Sequence, residues 1–189
     1  TREPDSDWFA VTHDGGPARG FDRMMPAFGD ALDDEEIFAI LRHIRSFCTD
    51  DSWPRGELNL PRAMFTEKAY PEDEWVWTTG VNVERPGAVS NEFIYETRFG
   101  ARNQLEFVIP FEFREREGGS WHGGLGDIAV GIKRVLYADL PSGSILSIAG
   151  EVILPTGNFD RGFGAGVTRF EPFASFGLAL PAEMFFQAQ

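Results

Sequence analysis

From Glu74 onward the sequence adopts a period of two, and this alternation constrains the fold more than any other feature of the chain. In NQLEFVIPFEFRERE, Leu105, Phe107, Ile109, Phe111 and Phe113 fall on one side, and Glu106, Val108, Pro110, Glu112 and Arg114 on the other. Successive side chains of a strand point to opposite faces, so this is a strand with one apolar and one charged face. The pattern recurs in EWVWTTGVNVE (74–84), NEFIYETRFG (91–100), GDIAVGIKRVLYA (126–138), SILSIAGEVIL (144–154) and VTRFEPFASFG (167–177). The separators RPGAVS, REGGSWHGG, DLPSGS and PTGNFDRGFGAG are rich in turn residues and hold no helical stretch. Parallel strands need long crossovers, so this succession predicts an antiparallel meander.

The predicted strands are about 9 to 11 residues long, the length that crosses a bilayer at a tilt in a closed barrel. Aromatic residues crowd the apolar faces at Trp75, Trp77, Phe93, Tyr95, Phe99, Phe107, Phe111 and Phe113. The opposite faces carry Glu96, Arg98, Glu106, Glu112, Arg114, Lys133, Glu151, Arg169 and Glu171. Apolar side out and charged side in describes a lipid-facing barrel. The sequence does not orient the faces, and a soluble barrel or sandwich keeps the same alternation. A charged interior reads either as a polar pore for ionic solutes or as a narrow lumen filled by mutually paired Glu and Arg.

The first 48 residues differ in kind. Asp33 is a good N-cap, Glu36 completes a capping box, and Ile37, Ile40, Leu41, Ile44, Phe47 and Cys48 form a helical stripe. Asp33, Asp34, Glu35 and Glu36 at the positive end of the helix dipole, and Arg42, His43 and Arg45 at the negative end, suit the dipole and need no catalytic role. Residues 49–73, with three prolines and mixed charge, read as a linker. The expected class is therefore α+β: a small helical segment over 1–48, a linker over 49–73, and a meander over 74–189 forming an incomplete barrel.

A formal charge of −13 argues against nucleic acid as a partner. No run of about 18 apolar residues predicts a membrane helix. The single cysteine, Cys48, excludes an internal disulfide and any two-cysteine metal or haem-attachment motif, and its place on the stripe suggests a buried thiol. The first residues, TREPDSDWF, carry no signal peptide, so the chain is read as cytosolic or as lacking its true N-terminus. His122 in GGSWHGG, His13 and His43 are isolated, with His122 expected in an exposed loop. No Ser-His-Asp, HExxH or CxxC pattern points to an enzyme. The glycines from Gly162 to Gly166 lack the remainder of a phosphate-binding loop and read as a hairpin turn.

Gly15, Gly16 and Gly20, then Met25-Pro26-Ala27-Phe28, then a final amphipathic helix, resemble the C-terminal half of a class I cytochrome c domain. The resemblance implies haem c as cofactor and Met25 as its axial sulfur ligand, with Pro26 stiffening the loop and Met24 the lesser choice. A rigid loop against an apolar wall of Phe28, Ile37, Phe38, Leu41 and Ile44 suits such a ligand. The CxxCH segment carrying the thioether cysteines and proximal histidine is absent, so a second ligand would have to come from His13 or from outside. A methionine-ligated iron implies electron transfer with redox partner proteins and no enzymatic activity.

Residues 55–189 are similar to outer-membrane barrels of the meta-pathway phenol-degradation and transporter-like families. The carrying residues are Gly124 to Ile128 leading into Val130-Gly131-Ile132-Lys133, then Gly150 to Gly157, then the Gly162 to Gly166 turn. This implies outer-membrane lipid as a partner, transport of hydrophobic compounds and no catalytic residues. Together the two resemblances imply a cell-envelope protein, its haem domain periplasmic and its barrel in the outer membrane, of which this chain is a fragment truncated at both ends. The alternatives are a passive barrel for small hydrophobic or ionic solutes without haem, and a soluble β protein with a binding role.

Overall fold

A computed structural model describes residues 3–47, 54–62, 66–181 and 184–189. Cys48, and with it the expectation of a buried thiol, lies outside them. The elements are α1 (Asp5–Asp14), α2 (Asp34–Arg45), β1 (Glu74–Asn82), β2 (Ala88–Phe99), β3 (Asn103–Glu115), β4 (Trp121–Leu125), β5 (Ile128–Asp139), β6 (Ser144–Leu154), β7 (Arg169–Ala179) and β8 (Phe185–Ala188). The fold is thus α+β and mostly β, as the alternation predicts. The strands pair in the order β1-β2-β3-β5-β6-β7-β8, with β4 also on β3. The pairs β1–β2, β2–β3, β3–β4, β3–β5 and β7–β8 are antiparallel.

Two of these strands depart from the sequence reading. β4 lies in the separator read as a turn, because Trp121 to Leu125 pair with Glu115 to Phe111 although two of the five are glycines. β8 is a four-residue strand paired to the end of β7. His122, expected in an exposed loop, stands half-buried on β4 opposite Arg114, its ring 5.2 Å from that of Phe163.

The chain divides into two compact units. One, the helical unit, comprises Thr1–Tyr70, Tyr137–Leu146 and Phe176–Ala188; the other, the sheet unit, comprises Pro71–Leu136 and Ser147–Ser175 with Gln189.

In the helical unit, α2 starts as its sequence dictates: Asp33 accepts from the Glu36 amide at 2.9 Å, and Glu36 accepts from the Asp33 amide at 3.0 Å. The buried line of α2 is Ile37, Leu41 and Arg45, one residue every four. This corrects the expected stripe. Ile40, Ile44 and Phe47 are exposed, and Arg45, assigned to the negative end of the helix dipole, is only 2% exposed. Its Nε donates to Asp5, one Nη donates to the Glu3 carbonyl at 2.7 Å, the other lies 3.5 Å from Glu57, and the guanidinium sits 5.3 Å over the Trp8 ring. Leu58, Leu60, Ala69 and Tyr70 are buried hydrophobic residues of this unit between residues 54 and 70.

In the sheet unit the alternation acquires an orientation. Trp75 is 69% exposed and Ile132 54%, with Trp77, Phe107, Ile109, Phe113 and Leu136 exposed beside them. On the opposite face Lys133 is 4% exposed, Gln104 1%, and Glu96 is likewise buried. The apolar face is the open one and the polar face the covered one. Aromatic rings ladder across the open face, Trp75 to Tyr95 at 4.4 Å and Trp77 to Phe111 at 5.3 Å. Three polar side chains there bond one another. Trp77 donates its indole N–H to Thr79, whose hydroxyl donates to Asn91 at 2.9 Å.

Candidate functional site

The first concentration of functional chemistry is the Met25 loop of the helical unit. α1 ends at Gly15 with φ 83°, and a Cβ on Gly15 would lie 2.8 Å from the Ala27 nitrogen. A Cβ on Gly16 would overlap the Asp22 carbonyl and crowd Met25. Only glycine lets the two segments close on one another here. The Gly16 amide then donates to the Met25 carbonyl at 3.0 Å, and Asp22 accepts from the Met24 amide at 2.9 Å. The loop is thereby fixed with Met24 exposed and Met25 half-buried.

Met25 lines a cavity of about 670 Å³ together with Trp8, Val11, Phe21, Leu41 and Ile44. Arg19 lends the wall a positive charge, and Glu3, Asp7 and Thr12 its other polar groups. Of the residues singled out from the sequence, the structure brings together Met25, Leu41 and Ile44. Pro26 is exposed, Phe28 is occupied in a backbone bond to Thr12, Ile37 lies buried, and Phe38 stacks on Phe9 at 4.8 Å; none of these four lines the cavity. Trp8 and Val11 escaped the sequence reading because α1 itself did. Its only signals were Pro4 ahead of an acidic first turn and Gly15 behind, since no side chain of α1 is fully buried.

The cavity's aromatic and aliphatic groups with one thioether are the groups that would hold a flat apolar cofactor such as haem. Met25 would supply the ligand, while Trp8, Phe21 and Leu41 would form the wall. No histidine lines it. His13 packs its ring against Gly29 and Phe9 and bonds Asp14 at 2.7 Å. That bond raises the imidazole pKa above its ordinary value.

The second concentration is the covered face of the sheet unit. Cross-strand register aligns Glu74, Glu96 and Glu106 in one row, ending at Gly131, which leaves space for Glu151. Gln104 donates to Glu96 at 2.5 Å and accepts from the Glu72 amide at 2.7 Å. Oxygens of Glu72, Glu74 and Glu96 lie within 4.8 Å of one another. Lys133, buried beside them with no hydrogen-bond partner at Nζ among the described residues, acts electrostatically on Glu96. Farther along, Glu112 accepts from Arg114 at 2.7 Å. The face is a mixed-charge surface with acid in excess.

One acid has a clear structural task. Asp127, in the turn before β5, accepts from the Gly157 amide at 3.0 Å and the Ala165 amide at 2.7 Å, and a Cβ on Gly164 would overlap its carboxylate. The Ala165 and Gly157 amides hold its pKa below the usual aspartate range. The Asp of the GDI motif thus clamps both ends of the glycine-rich loop that follows LPTG. It holds Phe163 buried against Gly124 and beneath the Arg114 guanidinium, 5.5 Å from the ring. These residues supply polar surface, one thioether cavity and a fixed loop, with no paired nucleophile and base. Neither a family model, nor a curated protein, nor a solved structure matches this chain.

Proposed function

We propose that the sheet unit is wall from a membrane-embedded β-barrel, its aromatic face toward outer-membrane lipid and its charged face toward an aqueous interior that passes or holds small solutes. The observation that carries this reading is the inverted burial of the sheet, with Trp75, Trp77 and Ile132 open and Glu96, Gln104 and Lys133 covered. In water such a sheet exposes a large contiguous apolar surface, which monomeric soluble domains avoid. In hydrocarbon the same surface is solvated, and Trp77, Thr79 and Asn91 there hydrogen-bond one another. Strand lengths from β1 to β3 of 9, 12 and 13 residues suit a tilted crossing. The reading is of a non-enzymatic protein.

The test is partition. Mixed with phospholipid vesicles, the 189-residue chain should float with lipid, and brominated acyl chains should quench its tryptophan emission through Trp75 and Trp77. A chain that stays in the buffer fraction with unquenched emission overturns the proposal.

A second reading is favoured by one observation, Met25 beside Trp8, Phe21 and Leu41 on a 670 Å³ cavity. It assigns the helical unit to haem c electron transfer in the periplasm, with redox proteins as partners and Met25 as the iron ligand. The chain has one cysteine, so covalent attachment needs a CxxCH segment from outside these 189 residues. Bound there, the haem would supply one-electron transfer, and the residues of this chain would orient it and exclude water. Haem added with imidazole to the whole chain should give the sulfur-to-iron absorption band near the red end, and Met25→Ala should remove it. A spectrum unchanged by Met25→Ala disqualifies the residue.

A further inference from the structure

We infer that a second cavity, on the polar face of the sheet unit over Glu92, is a binding site for a small organic cation of the primary alkylammonium class. Its volume is about 270 Å³, enough for a few heavy atoms. Register places Thr78, Glu92 and Pro110 in one row across β1, β2 and β3, and Gly80, Ser90 and Glu112 in the next. All six therefore face the same way.

Glycines let its walls approach closely. A Cβ on Gly80 would lie 2.7 Å from the Ser90 hydroxyl, and one on Gly126 would lie 2.9 Å from the Pro110 ring. Its far wall is the buried Phe163 ring, set in place by the Asp127 clamp.

Charge selects the ligand. Arg114 is already answered by Glu112 at 2.7 Å and lies over Phe163, so it offers little to an added anion. Glu92 has no hydrogen-bond or ion-pair partner among the described residues. The cavity therefore carries one uncompensated negative charge. A bare metal ion is poorly served, because one free carboxylate and two hydroxyls fall short of the six or more oxygens that Ca²⁺ takes. An alkylammonium fits better: its three N–H groups can meet Glu92, Thr78 and Ser90, and its carbon chain can lie on Pro110 and Phe163. The site does not depend on what covers the opposite face of the sheet, so it stands whether or not that face meets lipid.

The test uses the whole chain, folded in detergent micelles, and n-butylammonium as the probe, with n-butanol and butyrate as neutral and anionic counterparts. Butylammonium should bind with perturbation of β1 to β3 resonances and the counterparts should not. Glu92→Gln should weaken it about 10- to 100-fold, the share of one hydrogen-bonded charge. Thr78→Leu, which fills the hollow from β1 and leaves Glu92 intact, should abolish binding as well. Butyrate binding as tightly as butylammonium, or butylammonium affinity unchanged in both variants, overturns the assignment.

Discussion

Arg45→Ala is expected to destabilise the helical unit by about 3 kcal/mol, the low end of what removing one partner from a buried ion pair costs. The side chain is 2% exposed and joins pieces that are far apart in sequence: Glu3 and Asp5 at the start of α1, Trp8 within it, and Glu57 beyond α2. Alanine would leave a void under Trp8 and the Asp5 carboxylate without its cation, while Glu57 keeps Arg55 at 3.0 Å. The cost stays at the low end because the side chains of Asp5 and Glu57 keep 33% and 19% of their exposure and can rehydrate. Arg45→Lys keeps the charge but not the fork that reaches Asp5, Glu57 and the Glu3 carbonyl together, so it should recover less than half of the loss. Denaturant titration of the whole chain, with amide exchange in α1 and α2 reporting the unit locally, measures both. An Arg45→Ala protein within about 0.5 kcal/mol of the parent would show that the network contributes nothing net.

Arg45 also marks where the sequence ceased to be legible. Its position is on the buried line, four residues after Leu41 and eight after Ile37, yet its chemistry pointed to the solvent and to the helix dipole. Only the distant carboxylates of Asp5 and Glu57 make its burial tolerable, and no local pattern announces them. The start of α2 was fully legible, because a capping box is a contact between residues three apart. The Met25 loop was legible in its residues and not in its surroundings, since four of the ten residues lining the cavity come from α1, whose stripe is too weak to be seen. In the sheet, a period of two identified each face of β3 residue by residue, but alternation is symmetric under exchange of inside and outside. Register across three strands was needed to show that Glu74, Glu96 and Glu106 share the covered row. The short strands β4 and β8 were invisible for a related reason: they exist by pairing with β3 and β7, and their own residues include two glycines in one case and only four positions in the other.

Ile109→Arg should separate the two environments open to the exposed face. Ile109 is the middle residue of β3, lies opposite Phe93, which itself lies opposite Trp77, and belongs to the open aromatic face. If that face meets hydrocarbon, an arginine at this depth costs about 2 to 4 kcal/mol of folding free energy in a bilayer. If it meets water, the same change touches a solvated sheet surface and should lie within about 0.5 kcal/mol of neutral. Val81 supplies the control, since it shares the face but stands one residue from the end of β1, near where an interface would fall. Val81→Arg should cost about 0 to 1 kcal/mol in the same vesicles, because the penalty falls toward the headgroups. The depth dependence matters more than either value: a packing defect alone would have no reason to vanish toward the strand end, whereas desolvation of a guanidinium must. Equal and small costs at both positions, measured by denaturant unfolding from phospholipid vesicles, would remove lipid from the account of this face and leave a soluble sheet whose aromatic side awaits a protein partner.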